Sequence, residues 1–165
     1  MNEPRPVPAE VMAKQIAASD PSVSVWVAAN AGSGKTHVLV QRVIRLLLDG
    51  CPPSRILCLT FTKAAAANMA KRVFDTLAHW TSVGDAALDA ELRRIGIEHV
   101  DAARRAHARR LFAVALETPG GLKVQTIHAF CAQLLHQFPF EANVIARFNV
   151  LQPIFDKSVP TFLCK

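Results

Sequence analysis

The sequence lacks the features that would place it in a membrane or an export pathway. No apolar run among its 165 residues approaches the roughly 18 to 20 residues needed to span a bilayer. The first eight residues hold three prolines, Glu3 and Arg5 where a secreted protein would carry an apolar signal core. We therefore expect no membrane association, no export and a cytoplasmic location.

Cysteine is scarce, and its spacing does not suit a metal site. The four cysteines form no Cys-x-x-Cys pair and have no histidine at zinc-finger spacing beside them. This argues against zinc and predicts reduced, mostly buried thiols. They are Cys51, Cys58, Cys131 and Cys164.

Charged residues are also few, at 19%, whereas hydrophobic residues make up 51%, so a packed core is expected rather than disorder. Basic residues nevertheless outnumber acidic ones by 19 to 13, which gives a net charge of +6. That balance suits a polyanionic partner such as nucleic acid, although many soluble proteins are equally basic.

Apolar runs and breaking residues alternate along the chain in a pattern that predicts an α/β fold. A flexible lead over residues 1–10 should precede a parallel sheet flanked by helices, because strand and helix patterns alternate. Two helices separated near Gly96 and a turn at 118–121 are expected after the second strand. The predicted strands cover 23–27, 55–60 and 122–126, and the other predicted helices cover 11–18, 37–50, 63–80 and 127–138.

The most specific motif follows the first predicted strand and matches a phosphate-binding P-loop. Its glycines let backbone N–H groups turn toward phosphate oxygens. Lys35 would reach the β- and γ-phosphates, and the Thr36 hydroxyl would ligate Mg²⁺. The predicted nucleotide-binding residues are Ala29, Asn30, Ala31, Gly32, Ser33, Gly34, Lys35 and Thr36. The motif does not define the reaction, because kinases, GTPases, transport ATPases and helicases share it.

Three further segments resemble one family, the UvrD/Rep group of superfamily 1 DNA helicases. Residues 57–72, LCLTFTKAAAANMAKR, resemble its motif Ia, and residues 124–131, VQTIHAFC, resemble its motif Ib. Gln15 stands where the Q motif of this group has its adenine-reading glutamine. Residues 120–151 and a long insertion at about 81–121 are similar to the AddA-like helicase–nuclease branch.

The resemblance implies that residues 11–151 are the N-terminal part of a first RecA-like ATP-binding domain, whose sheet is incomplete here. Residues 152–165 show no such likeness. It also implies ATP and Mg²⁺ as cofactors, a role in double-strand break repair and recombination, and two partners, which are single-stranded DNA and an AddB-like subunit. By position in motifs Ia and Ib, the implied DNA contacts are Thr60, Phe61, Thr62, Ala64, Thr126 and His128.

Simpler roles stay open for these side chains. Phe61 could be a core residue, Thr62 a helix cap and His128 a partner of a buried carbonyl. Two positions also depart from the family pattern. Asn68 replaces a glutamate, and His37 replaces an arginine that approaches the nucleotide in the Rep type.

A cluster of arginines lies within the insertion and could follow DNA phosphates. The simpler interpretation is a solvated helical face. Its members are Arg93, Arg94, Arg104, Arg105, Arg109 and Arg110.

The chain has no Asp-Glu pair of the kind that holds Mg²⁺ and activates water in helicases. Asp49 and Asp156 are poor substitutes, because one follows a helix and the other follows a proline-interrupted run. We therefore expect an N-terminal fragment that binds ATP without hydrolysing it and is prone to aggregate through an unpaired sheet edge. The alternatives are a compact P-loop kinase, with the arginines from 104 to 110 as its lid, and a nonenzymatic nucleotide- or DNA-binding module.

Overall fold

The computed structural model describes residues 8–28, 30 and 32–145. These residues form six α-helices, one 3₁₀ turn at Pro53–Arg55 and two strands. The helices are α1 (Ala9–Ala18), α2 (Lys35–Leu48), α3 (Lys63–Ser82), α4 (Asp85–Arg94), α5 (Ala102–Glu117) and α6 (Ile127–Gln137), and the strands are β1 (Leu57–Thr60) and β2 (Lys123–Thr126). The chain divides into two units, Met1–Ile127 and His128–Lys165. No helix in these ranges is long and apolar enough to cross a membrane.

Local sequence explains where the helices begin and end. α2 starts after Gly34 and is followed by Gly50, and both glycines adopt positive φ angles, of 90° and 84°. The Thr62 hydroxyl caps α3 by accepting a hydrogen bond from the Ala65 N–H at 3.1 Å. All the helices predicted from the sequence are present, with ends shifted by a few residues.

The two strands pair in parallel, as the alternation of strand and helix patterns predicts. Leu57 is aligned with Lys123 at one end of the pair, and Thr60 is aligned with Thr126 at the other. Motifs Ia and Ib therefore end side by side at the carboxyl edge of the sheet. This confirms an α/β arrangement with a parallel sheet, here of two strands among the described residues.

The predicted strand over residues 23–27 is wrong. The segment forms no strand in the structure, and its apolar side chains are 41–92% exposed, with Trp26 the most exposed. A strand needs hydrogen-bonded neighbours for its backbone and cover for its faces. The only strand pairing in the described part of the chain joins β1 to β2, so this apolar run has no ladder to join.

The core of the first unit lies among the helices rather than over the sheet. Val73 and Leu77 of α3 are fully buried, and Leu88 and Leu92 of α4 pack into the same cluster. Trp80 is 1% exposed, and its indole N–H donates to the Glu91 carboxylate at 2.8 Å. The predicted insertion at 81–121 thus supplies part of the core, because α4 and α5 bury apolar residues against α3.

Three of the six clustered arginines are structural, so the interpretation of the cluster as a solvated face is wrong for them. Arg105 binds both carboxylate oxygens of Asp89 at 3.1 Å. Arg109 donates to the Val83 carbonyl at 2.7 Å and to Asp85 at 2.8 Å. Arg104 donates to the Leu48 carbonyl at 2.9 Å. Arg93, Arg94 and Arg110 are exposed.

The prediction of mostly buried cysteines is also wrong. Cys51 and Cys58 are half-buried and Cys131 is exposed, because it lies on the solvent side of α6. All three are free thiols. Cys164 lies outside the described residues.

Candidate functional site

The P-loop opens α2, and its described residues share one internal acceptor. The Asn30 carbonyl accepts the Ser33 backbone N–H at 3.3 Å and its hydroxyl at 2.6 Å, and it also accepts the Lys35 ammonium at 2.5 Å. Gly32 and Gly34 adopt φ angles of 79° and 90°, which only glycine tolerates readily. Ala29 and Ala31, also predicted to bind nucleotide, lie outside the described residues.

A cleft of about 270 Å³ lies at the mouth of this loop. It is lined by Gly32, Gly34, Lys35, Thr36, His37 and Arg72, and none of these is acidic. Arg72 comes from α3, where its Nε donates to the Asn68 Oδ1 at 3.1 Å. The predicted site residues did not include Arg72; its spacing of four from Asn68, on one face of α3, was the available signal.

Gln15 lies against the P-loop, as expected for an adenine-reading residue. A Cβ placed on Gly34 would come within 3.1 Å of the Gln15 Nε2. The end of α1 is held in place by arginines of α2. Arg45 donates to the Ile16 carbonyl at 2.9 Å, and Arg42 donates to the carbonyls of Asp20 and Val23.

A second cleft, of about 200 Å³, lies beside Gln15. Its lining combines apolar, amide and cationic side chains from α1, α2 and α4, namely Met12, Gln15, Ile16, His37, Gln41 and Arg94. Gln41 is only 7% exposed, and no hydrogen-bond partner satisfies its Oε1 within the described residues. Such an orphaned amide oxygen in a cleft is a place where a ligand N–H group would be favoured.

His37 connects the two clefts, since it lines both of them. Partial burial lowers the pKa of its imidazole, and the nearby charges of Arg94 and Arg72 lower it further. The imidazole is therefore neutral at pH 7. The arginine expected at this position from the Rep type has no cationic equivalent in His37 itself.

Asp49 does not belong to the nucleotide site. It follows the last residue of α2, about 20 Å along the helix from Lys35, and pairs with Arg104 at 3.3 Å. Asp156, the other candidate acid, lies outside the described residues. The arginines required for a kinase-like lid are engaged too, because Arg104, Arg105 and Arg109 bind carboxylates or carbonyls.

The candidate DNA contacts on motif Ia lie at the carboxyl end of β1. Phe61 is 81% exposed, so its interpretation as a core residue is wrong. Thr62 does cap α3, and Ala64 is exposed in the first turn of that helix. Thr60 is paired in register with Thr126, which is 8% exposed. His128 is exposed on α6 in the second unit, so it does not satisfy a buried carbonyl.

A P-loop that opens a helix beside parallel strands ending in Thr-Phe-Thr and Thr-Ile-His defines the class of the protein. The chain belongs to the family described as the UvrD/REP helicase N-terminal domain, which matches residues 11–158.

Among curated proteins, the chain is similar to two bacterial proteins named as A-type subunits of an ATP-dependent helicase/nuclease. The protein from Desulforudis audaxviator is 39% identical over 130 residues, which is 77% of this chain and 9% of the relative. The protein from Ligilactobacillus salivarius is 33% identical over 139 residues, or 84% of this chain and 10% of the relative. These findings confirm the AddA-like resemblance, and the chain spans about a tenth of the relatives' length.

Proposed function

We propose that this chain is the ATP-binding part of an AddA-like, ATP-dependent DNA helicase that acts in double-strand break repair and recombination. The observation that carries the proposal is the P-loop at the start of α2, with two left-handed glycines and Lys35 at its mouth. In this proposal residues 11–151 belong to a RecA-like domain, and the full-length protein has an AddB-like partner.

The residues of the cleft fit a nucleotide triphosphate with Mg²⁺. Backbone N–H groups of the loop from Gly32 onward would surround the phosphates, and Lys35 and Arg72 would balance their charge. Thr36 would supply the metal ligand, and the metal would neutralise charge between phosphate groups. Gln15, next to Gly34, would contact the base. The absence of acidic side chains from the lining favours an anionic ligand.

Replacing Lys35 tests this assignment. Lys35→Ala should reduce the affinity for a fluorescent ATP analogue with Mg²⁺ by at least tenfold, because a charge-assisted contact to phosphate is lost. Lys123→Ala, at the start of β2 and outside the cleft, removes the same charge and should leave the affinity unchanged. Equal binding by the wild-type protein and Lys35→Ala would refute the P-loop assignment.

We also infer that single-stranded DNA lies across the carboxyl ends of β1 and β2. Ligands of parallel α/β sheets bind at this edge. Thr60 and Thr126 meet there, and the exposed ring of Phe61 is available to stack on a base. Hydroxyl groups of motifs Ia and Ib, including Thr62, and the His128 imidazole would contact the DNA backbone, while Ala64 would allow it close to the start of α3.

Fluorescence anisotropy with a labelled single-stranded oligonucleotide tests the DNA surface. Phe61→Ala should weaken binding by about five- to thirtyfold, the range expected for one stacked base. Phe140→Ala removes an equally exposed ring outside motif Ia, at 89% against 81% exposed, and is the matched control. Equal losses in both variants would indicate nonspecific contact by exposed rings and would contradict the assignment.

We expect no ATP hydrolysis by this chain alone, with or without DNA, because no carboxylate lines the described cleft. Phosphate release by the purified protein should not exceed that of Lys35→Ala. Turnover that depends on Lys35 would show that the chain does hold a catalytic acid. Transfer of phosphate to a nucleoside or nucleotide acceptor would select the kinase interpretation.

A further inference from the structure

Arg94 differs from the other arginines of the insertion. It is the last residue of α4, and its side chain makes no hydrogen bond or ion pair with any residue that the structure describes. Arg104, Arg105 and Arg109 all hold carboxylates or carbonyls. Arg94 therefore has no visible structural task, although it lines the cleft beside Gln15.

The remaining walls of that cleft suit a flat, polar-edged ring. Met12 and Ile16 present apolar surface, while Gln15 and Gln41 present amides that can each donate and accept hydrogen bonds. Gln41 is more than nine-tenths buried, and its Oε1 has no partner within the described residues. A purine with an exocyclic amino group offers the donor that this oxygen lacks.

We propose that Arg94 is a base-contacting residue, whose guanidinium packs on the face of the adenine while the Gln41 amide binds its edge. The inference rests on the proposed nucleotide-binding function and extends it to the insertion. A planar guanidinium favours stacking on an aromatic ring.

The geometry at residue 37 explains why the contact would come from another element. His37 directly follows Gly-Lys-Thr, and its neutral imidazole supplies no cation there. Arg94 lines the same cleft as His37, so α4 delivers a guanidinium to the neighbourhood that residue 37 leaves without one. The insertion would thereby take part in base recognition, although it lies between motifs Ia and Ib in sequence.

Two competing ligands separate a base contact from a phosphate contact. Arg94→Ala should weaken ATP binding about tenfold, measured by displacement of a fluorescent ATP analogue, and leave the affinity for inorganic tripolyphosphate unchanged. Arg94→Lys should recover only part of the loss, because it keeps the charge but not the planar group. Arg93→Ala removes the same charge from the preceding exposed residue and should bind ATP like the wild-type protein.

Gln41→Leu provides a second, independent variant. It should weaken ATP binding while leaving the melting temperature equal or higher, because an unsatisfied buried amide is replaced by an apolar group of similar size. A structural defect would instead lower the melting temperature. Circular dichroism melts of every variant monitor folding.

The outcomes distinguish this inference from the proposed function. Normal ATP affinity in Arg94→Ala and Gln41→Leu, together with loss in Lys35→Ala, overturns the inference and leaves the P-loop assignment standing. Equal losses for ATP and tripolyphosphate in Arg94→Ala make Arg94 a phosphate ligand and also overturn it. A wild-type protein that binds neither ligand contradicts both proposals.

Discussion

The two sides of α2 differ in how completely they are covered. On one side Val43, Ile44 and Leu47 are at most 4% exposed and join a cluster with α3 and α5. On the other side Leu39 is 51% exposed and lines an open apolar cleft with the segment around Trp26. One helix therefore has a dry face and a wet apolar face within the same unit.

The difference follows from how helices and strands satisfy their backbones. Each helix pairs its own N–H and C=O groups, so α3, α4 and α5 complete a core once their apolar stripes meet. The segment at 23–27 has the composition of a buried strand but needs neighbouring strands to pair and cover it. Packing is thus complete where contacts between helices suffice and incomplete where a wider sheet would be required.

The largest expected effect comes from the covered side. Leu77→Ala should lower the free energy of unfolding by about 3 kcal/mol, because a fully buried side chain leaves a cavity. Trp26→Ala, on the uncovered side, should change it by less than about 0.5 kcal/mol, since the ring is 92% exposed. Urea unfolding followed by circular dichroism measures both. A larger loss for Trp26→Ala than for Leu77→Ala would reverse the comparison.

An intermediate effect is expected at the cap of α3. Thr62→Ala should destabilise the protein by about 1 kcal/mol, because the Ala65 N–H loses its acceptor. Thr62→Asp keeps an acceptor for that N–H and should retain stability. The aspartate should still weaken single-stranded DNA binding, since it places a negative charge near phosphate. Unchanged DNA affinity in Thr62→Asp would leave Thr62 with the capping role alone.

A change in solubility with little change in stability should follow from Trp26→Lys. The substitution removes the most exposed large apolar side chain of the uncovered side and adds a charge. Light scattering during heating should show later aggregation, while the urea midpoint stays the same. The wild-type protein should aggregate first; a fully soluble, cooperative thermal transition of the wild type would contradict this prediction.

The smallest effect concerns thiol reactivity. Burial raises the pKa of the Cys58 thiol, so at pH 8 it holds less of the reactive thiolate than an ordinary cysteine. Iodoacetamide should therefore label the exposed Cys131 before Cys58, as peptide mass mapping would show. Raising the pH toward 10 should speed the labelling of Cys58. Equal rates at pH 8 would indicate that the sheet edge around Cys58 opens readily.

Sequence reasoning succeeded where the information is local. Helix stops at Gly50 and caps such as Thr62 depend on a few adjacent residues, and the helices are confirmed with small shifts in their ends. The strand at 23–27 could not be judged in this way, because a strand depends on partners that are distant in sequence. The roles of Arg104 and Arg105 also required the fold, since their partners lie 55 and 16 residues away.

The candidate site shows the same division. The P-loop and Gln15 were predicted from motifs, and the structure brings Gln15 to the loop at Gly34. Arg72 and Gln41 were not found, because α3 and α2 present them to clefts that exist only after the helices pack. Their distance in sequence from the loop, or their burial, left no motif to recognise.

The pairing of Arg104 with the end of α2 has an electrostatic consequence. Aligned peptide dipoles give a helix a partial negative charge at its carboxyl end and a partial positive charge at its amino end. Arg104 neutralises the first by donating to the Leu48 carbonyl, whereas the first turn of α2 holds no acidic residue to neutralise the second. The insertion thus leaves α2 with an uncompensated positive pole, and that pole lies at the P-loop.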